Sequence, residues 1–146
     1  MAKPKSRFVD GYLLYLMAAA SERASAEFHA EVRAQGLRVP EWRVLACLVD
    51  SAPMMVTELA ELSLLEQSRM TKIIDQMDKR GLVVRCADET DRRRVRVSLT
   101  RAGKDIAEAL VAQAKAHEAR LLASLADTDA ARVRPVLQAL LEALDR

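Results

Sequence analysis

The sequence predicts a mainly α-helical protein with one small β-hairpin, on three observations. Apolar residues recur at helical spacing through most of the 146 positions. Period-two alternation is confined to one short stretch, and that stretch follows a helix closed by a glycine. At 51% hydrophobic residues, the chain has ample material for the core of a single domain.

The elements follow in chain order. Val9, Leu13, Leu16, Met17, Ala20, Ala24 and Phe28 share one face of a long amphipathic helix over about residues 8–34, ending near Gly36. Pro40 opens a second helix, EWRVLACLVD (41–50), which is apolar on most sides and therefore reads as buried; Ser51-Ala52-Pro53 closes it. Thr57 is a good N-cap for a short helix, TELAELS. After a tight turn at Leu64-Leu65-Glu66, a helix over 67–80 carries Met70, Ile73, Ile74 and Met77 at i, i+3, i+4 and i+7, and Gly81 stops it. Residues 82–86 and 95–99 are strand-like, the second strictly alternating, with polar residues 87–94 as the hairpin loop between them. Thr100 then caps a helix striped by Ile106, Leu110, Ala114, His117, Leu121 and Leu125. Val133, Leu137, Leu140, Leu141 and Leu144 stripe the last helix. Pro135 within it costs roughly 3 kcal/mol unless it lies in the first turn, so a late start or a bend is expected near 131–135.

Charge and composition narrow the function. The net charge of +2 says little, but residues 67–104 hold eleven Lys/Arg against five Asp/Glu, a local +6 that leaves the rest of the chain at −4. Such a basic concentration is the footprint of a docked polyanion. Cys47 and Cys86 lie far apart without metal-ligand spacing, so neither a zinc site nor a disulfide framework is indicated, and no cofactor is expected. Two distant histidines, no phosphate-cradling glycine loop and no nucleophile elbow argue against an enzyme. No apolar run spans a bilayer and MAKPKSRF lacks a signal-type core, so a cytoplasmic protein is expected.

Helix, helix, short helix, tight turn, helix and two-stranded hairpin is the plan of a winged helix-turn-helix. The helix 67–80 then has an apolar underside and a polar face of Gln67, Ser68, Arg69, Thr71, Lys72, Asp75 and Gln76, suited to reading base edges in a major groove. The hairpin tip carries Arg92, Arg93 and Arg94 beside it, in reach of phosphates or a narrow minor groove. Taken alone, an arginine-rich loop is more often only solvated; next to a reading helix, the odds reverse. A winged helix serving only as a protein-protein module is the alternative. Trp42 reads as a core aromatic, Cys47 as an inert buried thiol, and His117 as a hydrogen-bonded core or interface residue.

"EWRVLACL", "VTELAELSLLEQSRMTKIIDQMDKRGLVVR" and "DETDRRRVRVSLTRAGK" together resemble the MarR-type transcription regulators over nearly the full chain. The resemblance implies a dimerisation helix in 1–35, a DNA-binding winged helix-turn-helix in 36–100 and dimerisation helices in 101–146, the ends interlocking across a two-fold axis. It implies that Gln67, Ser68, Arg69, Thr71 and Lys72 read the major groove and that Asp91 orients Arg93 into the minor groove. It further implies a homodimer on a pseudo-palindromic double-stranded operator, acting as a repressor released by a small aromatic acid, with Phe28, Trp42 and His117 around the effector. The family's peroxide-sensing branch keeps a cysteine near the N-terminus, and this chain has none there.

Overall fold

A computed structural model describes residues 5–146, which divide into two compact units, one reaching Ala112 and one from Gln113 to Arg146. In the first unit, a single 3-10 turn at Phe8–Asp10 precedes α1 (Leu13–Ala34), so the first helix begins later than its apolar spacing indicates. Then come α2 (Val39–Leu48), β1 (Met54–Met55), α3 (Val56–Leu62), α4 (Gln67–Lys79), β2 (Val83–Ala87), β3 (Val95–Leu99) and α5 (Arg101–Leu125). The three strands are antiparallel in the order β1-β3-β2. The fold is a winged helix-turn-helix, mostly helical with a small sheet, as expected.

The added strand corrects the sequence reading at the start of α3. Met54 and Met55 pair with Val97 and Arg96 of β3, so extended backbone persists to Met55 and the helix begins at once. Met55, not Thr57, is therefore the N-cap, and the Glu58 carboxylate accepts its N–H at 3.2 Å.

The core forms where the apolar periodicity of α4 meets α2 and α3. Met70, Ile73, Ile74 and Met77 are all buried against Val44, Leu45, Leu48 and Leu59, joined by Val83 and Val97 from the sheet. Trp42 departs from its expected place in the core: it is half-buried, packed edge to face on Phe28 with ring centroids 5.0 Å apart. Cys47 is also only half-buried, its Sγ 3.9 Å from the Ser63 hydroxyl.

Thr100 ties the hairpin back to the end of α4. Its N–H donates to the Leu82 carbonyl (3.1 Å), its hydroxyl donates to the Gly81 carbonyl (2.6 Å), and the same hydroxyl accepts the Gly103 N–H (3.0 Å) as the cap of α5. One residue thus joins the end of α4, the start of the wing and the start of α5.

The N-terminal half of α1 is not covered by this core. Only Phe28 and Val32 of that helix are buried, while Leu13, Leu14 and Leu16 are exposed. In the second unit, a 3-10 turn at Asp129–Arg132 leads into α6 (Val133–Leu144), which places Pro135 in the first helical turn, where no intrahelical N–H bond is lost. The expected late start is therefore found. No residue of α6 is buried, and Arg134 pairs with Glu118 of α5.

Candidate nucleic-acid interface

The exposed side of α4 is short and cationic. Gln67, Ser68, Arg69, Thr71 and Lys72 are all exposed, opposite the four buried apolar residues of the same helix. The Thr71 hydroxyl donates back to the Gln67 carbonyl at 3.0 Å. Arg69 and Lys72 have no ion-pair partner among the described residues, so both cations face solvent.

Two residues expected on this face are engaged elsewhere. Asp75 pairs with Arg85 of β2, whose guanidinium also lies 3.7 Å from Asp78. Gln76 accepts a hydrogen bond from Arg38, at the start of α2. Both sit in the second half of α4, on the side toward the sheet and α2, so the polar residues expected to read DNA and left without a partner elsewhere lie in the first six residues.

The wing tip is built by its acidic residues. Asp91 accepts the Arg93 main-chain N–H at 3.0 Å, the Arg94 N–H donates to the Asp91 carbonyl at 3.0 Å, and the Asp91 carboxylate lies 3.7 Å from the Arg94 guanidinium. Asp91 thus meets Arg93 through the Arg93 backbone N–H. A residue two positions on reaches the carboxylate most easily through its N–H, in an Asx-type turn. Arg92 and Arg93 are exposed and have no side-chain partner among the described residues.

Asp88 is an anchor that sequence reasoning missed. It is buried, accepts the Thr90 N–H and hydroxyl at 3.2 Å each, lies 3.4 Å from Arg96, and its own N–H closes the loop on the Arg94 carbonyl at 2.9 Å. The Thr90 N–H first, then the Thr90 hydroxyl and the Arg96 guanidinium, hold its carboxyl below the usual carboxylate value of 3.8, against the opposing effect of burial. Arg96 also donates to the Pro53 carbonyl at 3.2 Å, so the same cation ties the wing to the segment before β1. Asp-x-Thr spacing in 88–90 was the available signal.

Glu41 is the second missed residue. Only 1% exposed, it accepts the Arg38 N–H at 2.9 Å and pairs with Arg38 (3.4 Å) and Arg80 (3.0 Å), while Arg80 also donates to the Gly36 carbonyl at 3.2 Å. This buried carboxylate joins α2 to the end of α4 and so sets how α4 stands on the domain.

Of the residues proposed for an effector, Phe28 and Trp42 meet in the first unit, and His117 is half-buried on the part of α5 belonging to the second. No group of three or more metal-ligating side chains occurs among the described residues, and no described helix is long and apolar enough to cross a membrane.

Comparison with known proteins agrees with this arrangement. The MarR family pattern matches residues 37–95, which run from the start of α2 into the wing. The solved structure of a MarR family transcriptional regulator from Silicibacter pomeroyi DSS-3 is 67% identical, covers 95% of this chain and 99% of its own, and superposes with a TM-score of 0.89. An HTH-type transcriptional repressor of Mycobacterium bovis is 30% identical over 115 residues, 79% of this chain and 81% of that protein. Bordetella bronchiseptica BpsR, whose DNA binding is regulated by 6-hydroxynicotinic acid, shares the fold with a TM-score of 0.76 at 21% identity, over 98% of this chain and 99% of its own. The chain belongs to the MarR family, whose members are DNA-binding transcription regulators and not enzymes.

Proposed function

We propose that this protein is a sequence-specific repressor that binds a pseudo-palindromic operator as a homodimer and leaves it when a small aromatic acid binds. One observation carries the reading. Gln67, Ser68, Arg69, Thr71 and Lys72 lie exposed on the first turns of α4, and Arg92 and Arg93 at the wing tip have no acidic partner for their side chains. Donors grouped this way suit base edges in the major groove, and the two wing cations suit phosphate or a narrow minor groove. In this reading Asp91 shapes the wing and Arg94 stays paired to it, contributing charge to the same surface.

Dimerisation is supported by the exposed leucines of α1 and of α6, since apolar stripes of that size on a soluble chain mark an interface. A two-fold dimer presents its reading helices to half-sites about 34–36 Å apart. The aromatic effector is supported by the Phe28–Trp42 contact, an aromatic wall with an indole N–H, and by the relative that responds to an aromatic acid. Such a ligand acts by population shift, lowering DNA affinity by its differential affinity for the two dimer states.

The test begins with duplexes selected by the protein from a random pool. Affinity for the selected duplex should fall linearly in log-log form with salt, as counterion release requires, and should exceed that for random DNA. Aromatic acids that raise the melting temperature should release the duplex, less effectively from Trp42→Ala. Equal affinity for selected and random duplexes overturns the sequence-specific reading. Acids that bind without releasing DNA overturn the effector.

A further inference from the structure

Three helices of the first unit end in the same closed turn. The N–H two residues past the cap returns to the third residue from the helix end: Leu37 to Val32 (3.3 Å), Leu65 to Ala60 (2.9 Å) and Leu82 to Met77 (3.0 Å). The residue between must be left-handed. At α1 and α4 it is glycine, Gly36 with φ 78° and Gly81 with φ 72°; at α3 it is Leu64, with φ 58°. A leucine Cβ crowds the backbone in that conformation and glycine does not.

Among the described residues, no packing offsets the strain. The Leu64 side chain is 82% exposed, and Leu62 beside it is 59% exposed. A strained, outward leucine in place of the glycine used twice elsewhere calls for a partner outside the domain. Its place in the chain indicates which. Glu66 caps α4, and Gln67, Ser68 and Arg69 form its first turn. Three Cα steps hold Leu64 within about 11 Å of Gln67, so a duplex engaged by that turn comes within reach of the leucine.

We propose that Leu64 is a specificity-determining residue that packs on the 5-methyl group of a thymine at the edge of each half-site. The proposal rests on the DNA-reading function above. Thymine's methyl is the apolar group a base pair presents in the major groove, and it matches a side chain that offers neither donor nor acceptor. The neighbouring Gln67, Ser68 and Arg69 take the hydrogen-bonding edges.

The probe is the duplex that the wild-type protein selects, with its thymines replaced one at a time by deoxyuridine, which deletes the methyl and keeps every hydrogen-bonding edge. Wild type should lose about fourfold in affinity at one position per half-site, the effect of one buried carbon. Leu64→Gly should bind the unmodified duplex more weakly and no longer sense that position. Leu64→Asn, which tolerates a left-handed backbone and lacks the methyls, should behave alike and guards against a turn loosened by glycine. The same deoxyuridine pattern in all three proteins overturns the contact, as does dissociation of the Leu64 variants into monomers, which would make a second copy the leucine's partner. A wild type that selects no duplex overturns the DNA-reading function and the contact with it; one that selects a duplex but senses no methyl overturns the contact alone.

Discussion

Gly103 lies directly under Leu82: a Cβ built at Gly103 would fall 1.9 Å from the Leu82 carbonyl oxygen. The first turn of α5 therefore touches the backbone that leads from α4 into the wing, and Thr100 bonds the same carbonyl through its N–H. Only glycine permits this approach. The clash is with main chain, which cannot swing aside as a flexible side chain would.

Gly103→Ala should accordingly lose about 1–3 kcal/mol of stability, the usual range for overpacking. Urea unfolding measures this. On the proposed DNA-binding function, the variant should also bind DNA more weakly at temperatures where it remains folded, because the shift falls between α4 and the wing. An alanine variant as stable as wild type would mean that α5 can move off the sheet.

Glu41 holds α2 to the end of α4 through Arg38 and Arg80. Glu41→Ala leaves two guanidiniums without their carboxylate, but both are about half exposed and regain water, so the loss should be about 1–3 kcal/mol and not the full cost of a stranded buried charge. Glu41→Gln keeps the shape and one acceptor and should lose less. Thermal and urea unfolding of the two variants rank them; equal losses would assign the effect to packing alone.

The sequence made part of this legible. Met70, Ile73, Ile74 and Met77 were readable as one buried face because helical periodicity depends only on local spacing, and Gly81 as a stop because its backbone requirement is local too. Glu41 was hidden because its partner Arg80 lies 39 positions away and a lone glutamate in an apolar helix carries no mark of it. Leu64 was hidden for the opposite reason: its left-handed backbone contradicts its residue type. The leucines of α1 fitted a helical stripe equally well whether a partner lay in the same chain or in another. Strand β1 is two residues long, too short for alternation to register.

Arg69 and Arg93 should fail in different ways. Arg69→Ala should cost about 1–3 kcal/mol on the selected duplex and relax preference at one base position per half-site. Arg93→Ala should reduce the salt slope by about one per subunit if it meets a phosphate, or weaken A·T-rich flanks selectively if it enters the minor groove. Binding titrations on selected and random duplexes separate the outcomes. Equal losses on both duplexes for both variants would refute the division between reading and holding.

The wing should loosen in acid. Asp88 has its carboxyl held below 3.8 by the Thr90 N–H, the Thr90 hydroxyl and Arg96, so its folded form favours the charged state. A depressed carboxylate contributes stability that is fully present above its unfolded value and lost as pH falls through the lower folded value. The stability gap between wild type and Asp88→Asn should thus be constant above about pH 5 and close below 3.8. Unfolding curves across that range measure it. A gap unchanged down to full acid unfolding would remove the carboxylate from the wing's support.

Leu141 is 61% exposed and Leu140 half-buried on α6, a helix with no buried residue, so most of its apolar stripe stays open to solvent. Burying two leucines contributes about 1.5–3 kcal/mol each, and a glutamate pair in their place would have to desolvate two charges to associate. Leu140→Glu combined with Leu141→Glu should therefore sediment as a monomer, and circular dichroism checks that its helical content is retained. On the proposed dimeric reading of a two-half-site operator, a monomer offers one α4 for two half-sites, so affinity for the selected duplex should fall toward that for a single half-site. A double variant that still sediments as a dimer and binds the full duplex normally places the interface elsewhere on the chain.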